Sequence, residues 1–411
     1  MRILQLVSCR GWSSDAYWAA RVSIELARRG HQVMLGLRAG TESRVIRRAR
    51  DEGATEITTF GFAGGVRPGT DVADVRRIAA LLGEVDVVHV HRGKEHWLAA
   101  VANRITRSPR PIVRTRHIVQ AVRAHRGNRW LYGSATALVT AVTDAIRRQY
   151  VASGLVAPDR IVTISGGADA ERYRPGPADP EVRRHLTGEI GVPLVGMVGG
   201  LRIMKGHALV VDAVPRLARA GLPLRVVFVG QGSREAIVRD AIRRAGLDDV
   251  ITVAGFASDL PAVMRALDVG LYVPLESEGM SRVVFEYLAA ATPLIASRVG
   301  VVPEVLVDGE HAVLVPAGDA SALADALARL LGDADLRGRL ARAGHRLVGA
   351  RYSGARVAET LEGHYRRLTE PVNESSDREA PRLCRVRPHP TGASAHPPGG
   401  APSAGGLGGP R

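Results

Sequence analysis

From Arg2 to Ser165 the chain alternates short apolar runs with segments of helical spacing, and after one break it does so again. "RILQLVS" leads into "DAYWAARVSIELARRG", whose helical pattern stops at a glycine. "HQVMLGL" reads as a strand and "TESRVIRRARDEG" as a helix opened by an N-cap Thr41. "ATEITTF", "DVVHVH", "PIVRTRH", "ATALVTAV" and "RIVTIS" continue the strands, with helices predicted over 71–83 and 95–106. Strands separated by helices cannot pair as tight hairpins, so each crossover predicts a parallel neighbour and an open, doubly wound sheet.

"GADAERYRPGPADP" (167–180) breaks the rhythm with Pro and Gly, and the alternation then restarts. "VPLVGMVGG", "LPLRVVFVG", "DVITVAG", "DVGLYVPL", "TPLIAS" and "HAVLVPAG" are the strands of this second half. Helices are expected at 205–220, 233–245, 259–265, 281–291, 319–333, 334–348 and 354–369. The predicted architecture is α/β, with two Rossmann-like domains facing across a cleft. Its expected parts are a first domain over 1–170, a linker over 171–180, and a second domain over 181–352. A C-terminal helix over 353–370 crosses back toward the first domain. From Pro371 the chain is rich in Pro, Gly and Ser, ends "PPGGAPSAGGLGGPR" and lacks the apolar residues for a core.

Charge divides the halves. Residues 1–175 carry 28 Lys and Arg against 15 Asp and Glu, most of the net +15 of the 411-residue chain. No acid falls between Glu95 and Asp144, a stretch holding Arg104, Arg107, Arg110, Arg114, Arg116, Arg123, Arg126 and Arg129. Such a half is drawn to anionic surfaces, whereas solvated arginines are the plainer reading. Aromatics at 4% do not support base stacking on nucleic acid. Cys9 and Cys384 match no metal or redox spacing, and a cytoplasmic setting is expected. "MRILQLVSCRG" is too short for a signal peptide, and no run of apolar residues is long enough to span a bilayer.

A nicotinamide enzyme would carry G-x-G-x-x-G after the first strand, where residues 8–13 read "SCRGWS". A P-loop is also missing. The second half instead holds "MVGGLRIMKGH" (197–207), with Gly199 and Gly200 after a strand and Arg202 and Lys205 ahead of a helix. Glycines admit close backbone approach and two cations offset a diphosphate, although a lysine at a helix start is common. "ESEGMSRVVFE" (276–286) sets Glu278 and Glu286 eight residues apart, about 12 Å along a helix. An acid opposing the helix dipole accounts for part of this; two acceptors along one extended ligand account for more.

With "ESEGMSRVVFEYLAAATPLIAS" and "GVVPEVLVDGEHAVLVPAGD" added, the chain resembles the retaining GT-B glycosyltransferases of glycosyltransferase family 4. The stretch from about 190 to 320 carries most of the likeness. "RRGHQV", "DVVHVH", "PIVRTRH" and "RIVTISGGADAERYRP" extend it more loosely. The resemblance implies a nucleotide diphosphate sugar as donor substrate, with no cofactor and no metal. Arg202 and Lys205 would hold the diphosphate and stabilise the leaving group. Glu286 would bind the ribose, and Glu278 the sugar hydroxyls, aided by the backbone of Gly279, Met280 and Ser281. Gly255 and Phe256 would lie near the nucleobase and His117 near the reacting centre. The loop Arg10-Gly11-Trp12-Ser13-Ser14 would line the cleft. His89 and His91 fit packed structural histidines better than substrate ligands.

The family's Arg of a G-R-L run is Gly200 here, with Arg202 expected in its stead, and its Asn-Gly is Gly166-Gly167, expected to alter only a turn. The acceptor implied is a glycan or lipid-linked cell-envelope molecule, reached by a hexosyltransferase in the cytoplasm or at the inner face of the plasma membrane. Peripheral contact with anionic lipid is expected and nucleic acid is not. The alternatives are a sugar-nucleotide epimerase on the same scaffold and a non-enzymatic basic anion-binding protein.

Overall fold

The computed structural model describes residues 1–188, 191–277 and 279–370. Glu278 and the 371–411 tail with Cys384 lie outside them.

Seven strands make the first sheet: β1 Arg2–Val7, β2 Gln32–Arg38, β3 Ile57–Phe60, β4 Val87–Val90, β5 Ile112–Arg116, β6 Leu138–Ala141 and β7 Ile161–Thr163. Six make the second: β8 Leu194–Val198, β9 Arg225–Val229, β10 Ile251–Gly255, β11 Val269–Tyr272, β12 Leu294–Ser297 and β13 Val313–Val315. Every pairing is parallel, in the orders β3-β2-β1-β4-β5-β6-β7 and β10-β9-β8-β11-β12-β13. Each order reverses beside the first strand of its half, at β1/β4 and β8/β11, and there the loops leaving the carboxyl ends part to form a crevice. Strands β1, β4 and β8 are buried on both faces apart from the first residue of β1, as a sheet covered by helices on each side requires.

The chain returns to its beginning. Ala168 and Ser353 form an isolated bridge, and the helix Gly354–Thr369 then packs against the helix Ser14–Arg28. Glu362 pairs with Arg29 at 2.5 Å, and Tyr365 reaches His89 inside the first sheet's core. Gly166 lies in this seam with φ 98°, and a Cβ there would stand 2.5 Å from the Tyr352 carbonyl oxygen, so its role exceeds that of a turn. Arg21, 2% exposed, ties the seam by pairing with Glu25, Glu52 and Asp169.

Two local expectations are corrected. Thr41 makes no N-cap: its hydroxyl donates to the Arg38 carbonyl, and residues 42–51 form a π turn followed by one short α segment. Polar helices at Arg126–Gly133, Asp144–Ala152 and Pro180–Thr187 also appear, the last starting at the end of the break between halves, where Asp179 caps it.

Candidate active site

The second sheet builds one wall of the cleft through backbone contacts. Gly206 ends the short 3-10 turn Ile203–Lys205 with φ 84°, and a Cβ there would meet the Val273 carbonyl at 2.0 Å. Only glycine permits that approach, and it seats Lys205 over the Tyr272 ring, its Nζ 5.9 Å from the centroid. Gly199, φ 158°, is in extended backbone; its carbonyl would stand 2.0 Å from a Cβ on Gly230, so these two loops also meet main chain to main chain. The Nε of Arg202 lies 3.7 Å from where a Cβ on Gly200 would project, so Arg202 returns to the space beside residue 200.

Facing these glycines is the start of the helix Arg282–Ala289. Its residues 284–289 are buried, and Tyr287 pins it by accepting from Val198 N–H at 2.8 Å and donating to the Gly196 carbonyl at 3.1 Å. The leading amides of a helix have no intrahelical acceptor and favour an anion. Ahead of it Gly279 and Ser281 both have positive φ, 87° and 54°, and the Ser281 and Tyr272 hydroxyls hydrogen-bond. A left-handed serine costs on the order of 1 kcal/mol and is held here by its surroundings.

The first half closes the site. Trp12, Ser13 and Ser14 join Gly199, Gly200, Arg202, Lys205, Ser281 and Arg282 around a cavity of about 380 Å³. His117 touches the opposite turn through its backbone, since a Cβ on Gly279 would stand 2.4 Å from the His117 carbonyl oxygen. Its imidazole sits edge-on to the buried Trp18, with Nε2 3.1 Å from His91 Nδ1, while His91 Nε2 is 2.7 Å from Gln5 Oε1. With the Gln5 carbonyl accepting, His91 and His117 both carry their proton on Nε2, and His117 Nδ1 remains a buried acceptor with no partner among the described residues. Burial, with Arg114, Arg116 and Arg92 nearby, pushes the His117 imidazole down to about 3 against the opposing charge of Asp15, so it is neutral.

His89 is structural, its ring nitrogens engaging Tyr365 and Thr115. Asp15 binds Arg92 and Ser13; burial raises its carboxyl, but these partners outweigh that and hold it well below the usual range. Met280 is buried beneath its turn, and Gly11 lies in the neighbouring pocket with Trp12. Gly255, φ 70°, ends β10, and Phe256 beyond it is 58% exposed under the Arg48 guanidinium, 5.5 Å away. That pair borders a separate cavity of about 420 Å³ shared with Arg21, Glu52 and Arg172. A larger concavity, about 970 Å³, lies between Glu171–Pro177 and residues 258–265 and is lined by none of the sequence-predicted residues.

Glu286 is 1% exposed and lies 3.0 Å from Arg282, with Tyr173 as a second partner. Burial raises its carboxyl and Arg282 opposes the rise. Arg282 is the residue of this turn that sequence reasoning passed over. It lines the cavity and stacks on Tyr17 with 4.2 Å from guanidinium to ring centroid. Its position four residues before Glu286 was the available signal, an i,i+4 pair.

Residues 192–333 match the family model for glycosyl transferases group 1, and residues 17–172 match that for glycosyltransferase family 4. A D-inositol 3-phosphate glycosyltransferase of Nocardia farcinica is 31% identical over 84% of this chain and 82% of its own length. A 2-deoxystreptamine glucosyltransferase of Streptomyces kanamyceticus is 31% identical over 53% of this chain and 57% of its own. Among solved structures, a Rickettsia africae glycosyltransferase superposes with TM-score 0.77 at 21% identity, over 89% of this chain and 98% of that one. Anabaena HepE bound to UDP gives 0.76 at 19%, over 90% and 100%. With two parallel sheets meeting at their switch points and both halves matched, the chain belongs to glycosyltransferase family 4 and has the GT-B fold.

Proposed function

We propose that the protein moves a sugar from a nucleotide diphosphate sugar to a hydroxyl of a glycan or lipid-linked acceptor, with retention and without a metal ion. The convergence of Trp12–Ser14, Gly199–Lys205 and Ser281–Arg282 on one cavity carries this reading. The diphosphate lies at the helix start, between Arg202 and Lys205, whose charges stabilise the departing nucleotide. Its phosphate takes the acceptor's proton, so no separate base is needed. The Nδ1 of His117 accepts from a sugar hydroxyl near the reacting carbon, and Glu278 holds other hydroxyls of that sugar. Ribose binding at Glu286 requires Arg282 to swing off the carboxylate, which is 1% exposed without ligand. Phe256 and Gly255 border the base. UDP-glucose bound in the HepE structure and the sugar transfers named for the curated relatives support a nucleotide-sugar donor.

Peripheral binding to anionic membrane has a surface to support it. On the helix Gly93–Ile105, Trp97, Val101 and Ile105 are exposed at successive four-residue steps. Arg104, Arg107, Arg123, Arg126 and Arg129 are exposed on or near it, and Trp97 packs on Trp130, its ring centroid 5.8 Å away. No described helix is long and apolar enough to cross a bilayer. The deciding experiment supplies UDP-, GDP-, ADP- and dTDP-sugars and follows nucleotide diphosphate release, then reads the product's anomeric configuration by NMR with and without EDTA. Turnover with one donor, a retained anomer and no EDTA effect are expected. Absence of binding and turnover across the panel rejects the reading.

A further inference from the structure

A second concavity of about 410 Å³ adjoins the donor cavity and shares Trp12 and Ser13 with it. The loops leaving β1, β2, β3 and β4 surround it, so it occupies the switch point of the first sheet. The described residues lining it include four cations, Arg10, Arg38, Arg92 and Lys94, and no acid. Two of these are spoken for. Arg92 pairs with Asp15, and Lys94 binds Asp71 at 2.6 Å and the Gly65 carbonyl at 2.8 Å. Arg10 and Arg38 form no ion pair among the described residues. Arg10 lies against the β3 loop, where a Cβ on Gly64 would stand 2.3 Å from its guanidinium.

Two unneutralised guanidinium groups beside two paired cations make a pocket whose complement is an anion. Planar forks of N–H donors match the oxygens of a phosphate. The donor's diphosphate does not account for them, because Arg202, Lys205 and the helix start serve it in the neighbouring compartment. We propose that this pocket binds a phosphate group carried by the acceptor, with Arg10 and Arg38 as its principal ligands. The proposal rests on the donor reading above and narrows the acceptor to a phosphorylated one. That phosphate could belong to a soluble polyol phosphate or to a lipid-linked phosphate; Lys94, one turn before the exposed Trp97, sits at the join of pocket and apolar stripe.

The test uses the full chain at constant ionic strength, first saturated with whichever nucleoside diphosphate raises its melting temperature. Inorganic phosphate and glycerol 3-phosphate, with glycerol as control, are then titrated calorimetrically. Phosphatidylcholine vesicles with and without polyprenyl phosphate form the lipid arm, read by co-sedimentation. Saturable phosphate binding beyond the filled donor site is expected. The double variant R10A/R38A should weaken it at least about tenfold and keep its nucleotide affinity. If circular dichroism finds that variant unfolded, R38Q carries the same comparison. Preference for glycerol 3-phosphate assigns the soluble source, and preference for doped vesicles the lipid source. Phosphate binding that is absent from the saturated wild type, or unchanged in the variants, overturns the proposal. Failure of every nucleotide to bind would reject the donor reading instead, and phosphate titration of wild type against R10A/R38A would still report on this pocket.

Discussion

The two sheets share one plan and are filled in opposite ways. Around the second sheet the core is almost wholly aliphatic, with Val195, Val226, Phe228, Leu271 and Ile295 at its centre. Its cleft edge is made by glycines and short turns. The first sheet buries Gln5, His89, His91, Glu95, His96, Arg114, Thr115 and His117 on or beside its central strands. Two polar chains run through that core, Gln5–His91–His117 and Tyr365–His89–Thr115–Thr140. Under the proposed function, a backbone-built site recognises what all nucleotide-sugar donors share, a diphosphate. A site of buried, mutually oriented side chains is costly to hold and discriminates finely. Under the proposed function, the difference makes the donor grip generic to the scaffold and places selectivity in the first half.

Breaking the histidine side should have the largest effect. Trp18 is fully buried and stands edge-on to His89, His91 and His117, 5.4–5.9 Å between ring centroids. Trp18→Ala should cost about 3–5 kcal/mol of stability in chemical denaturation; a loss under 1 kcal/mol would mean that the histidines are held without it. On the backbone side, Lys205→Ala should lower kcat about 10²–10³-fold while the melting temperature barely moves. An equal loss of stability would make Lys205 structural.

Acid should separate the halves next. Burial holds His89, His91 and His96 well below their ordinary value and takes His117 to about 3, against one such group among the described residues around the second sheet, His207 at about 4. Below pH 6.5 the unfolded chain binds protons that these folded imidazoles refuse. Stability is therefore full above pH 6.5 and falls with pH, by up to about 1.4 kcal/mol per unit for each group, levelling off once the folded groups titrate. Hydrogen exchange should find the first sheet opening before the second between pH 6 and 4; equal loss of protection would remove the contrast. The smallest effect is a gain. Ala291 sits at φ 55° after the helix Arg282–Ala289, and Ala291→Gly should stabilise the protein by about 1 kcal/mol. A lower melting temperature would contradict that.

Much of the fold was legible because parallel sheets leave a double imprint, apolar runs for strands and helical spacing between them. The helices Arg126–Gly133 and Asp144–Ala152 left none, being polar and short, and Thr41 satisfied a motif while its hydroxyl bonded elsewhere. Around the cleft, Gly199, Gly200, Arg202 and Lys205 stand close in sequence, so their meeting was readable. The eight-residue rhythm drew attention to Glu278 and Glu286, and the four-residue partnership of Arg282 with Glu286 went unread. Residues 5, 91 and 117, and residues 89 and 365, are joined only by topology, and spacing carries no trace of that.

Tyr365 has a consequence for how the protein is made. Its hydroxyl completes the polar core of a sheet whose last strand ends at Thr163. The roughly two hundred residues between them take a ribosome about 10–40 s to synthesise, at the usual 5–20 residues per second. For that interval the first half waits with His89 short of a partner, while the aliphatic second half needs nothing made after it to fill its centre. The order of maturation should thus invert the order of synthesis, the second half setting first and the C-terminal helix locking the first half last.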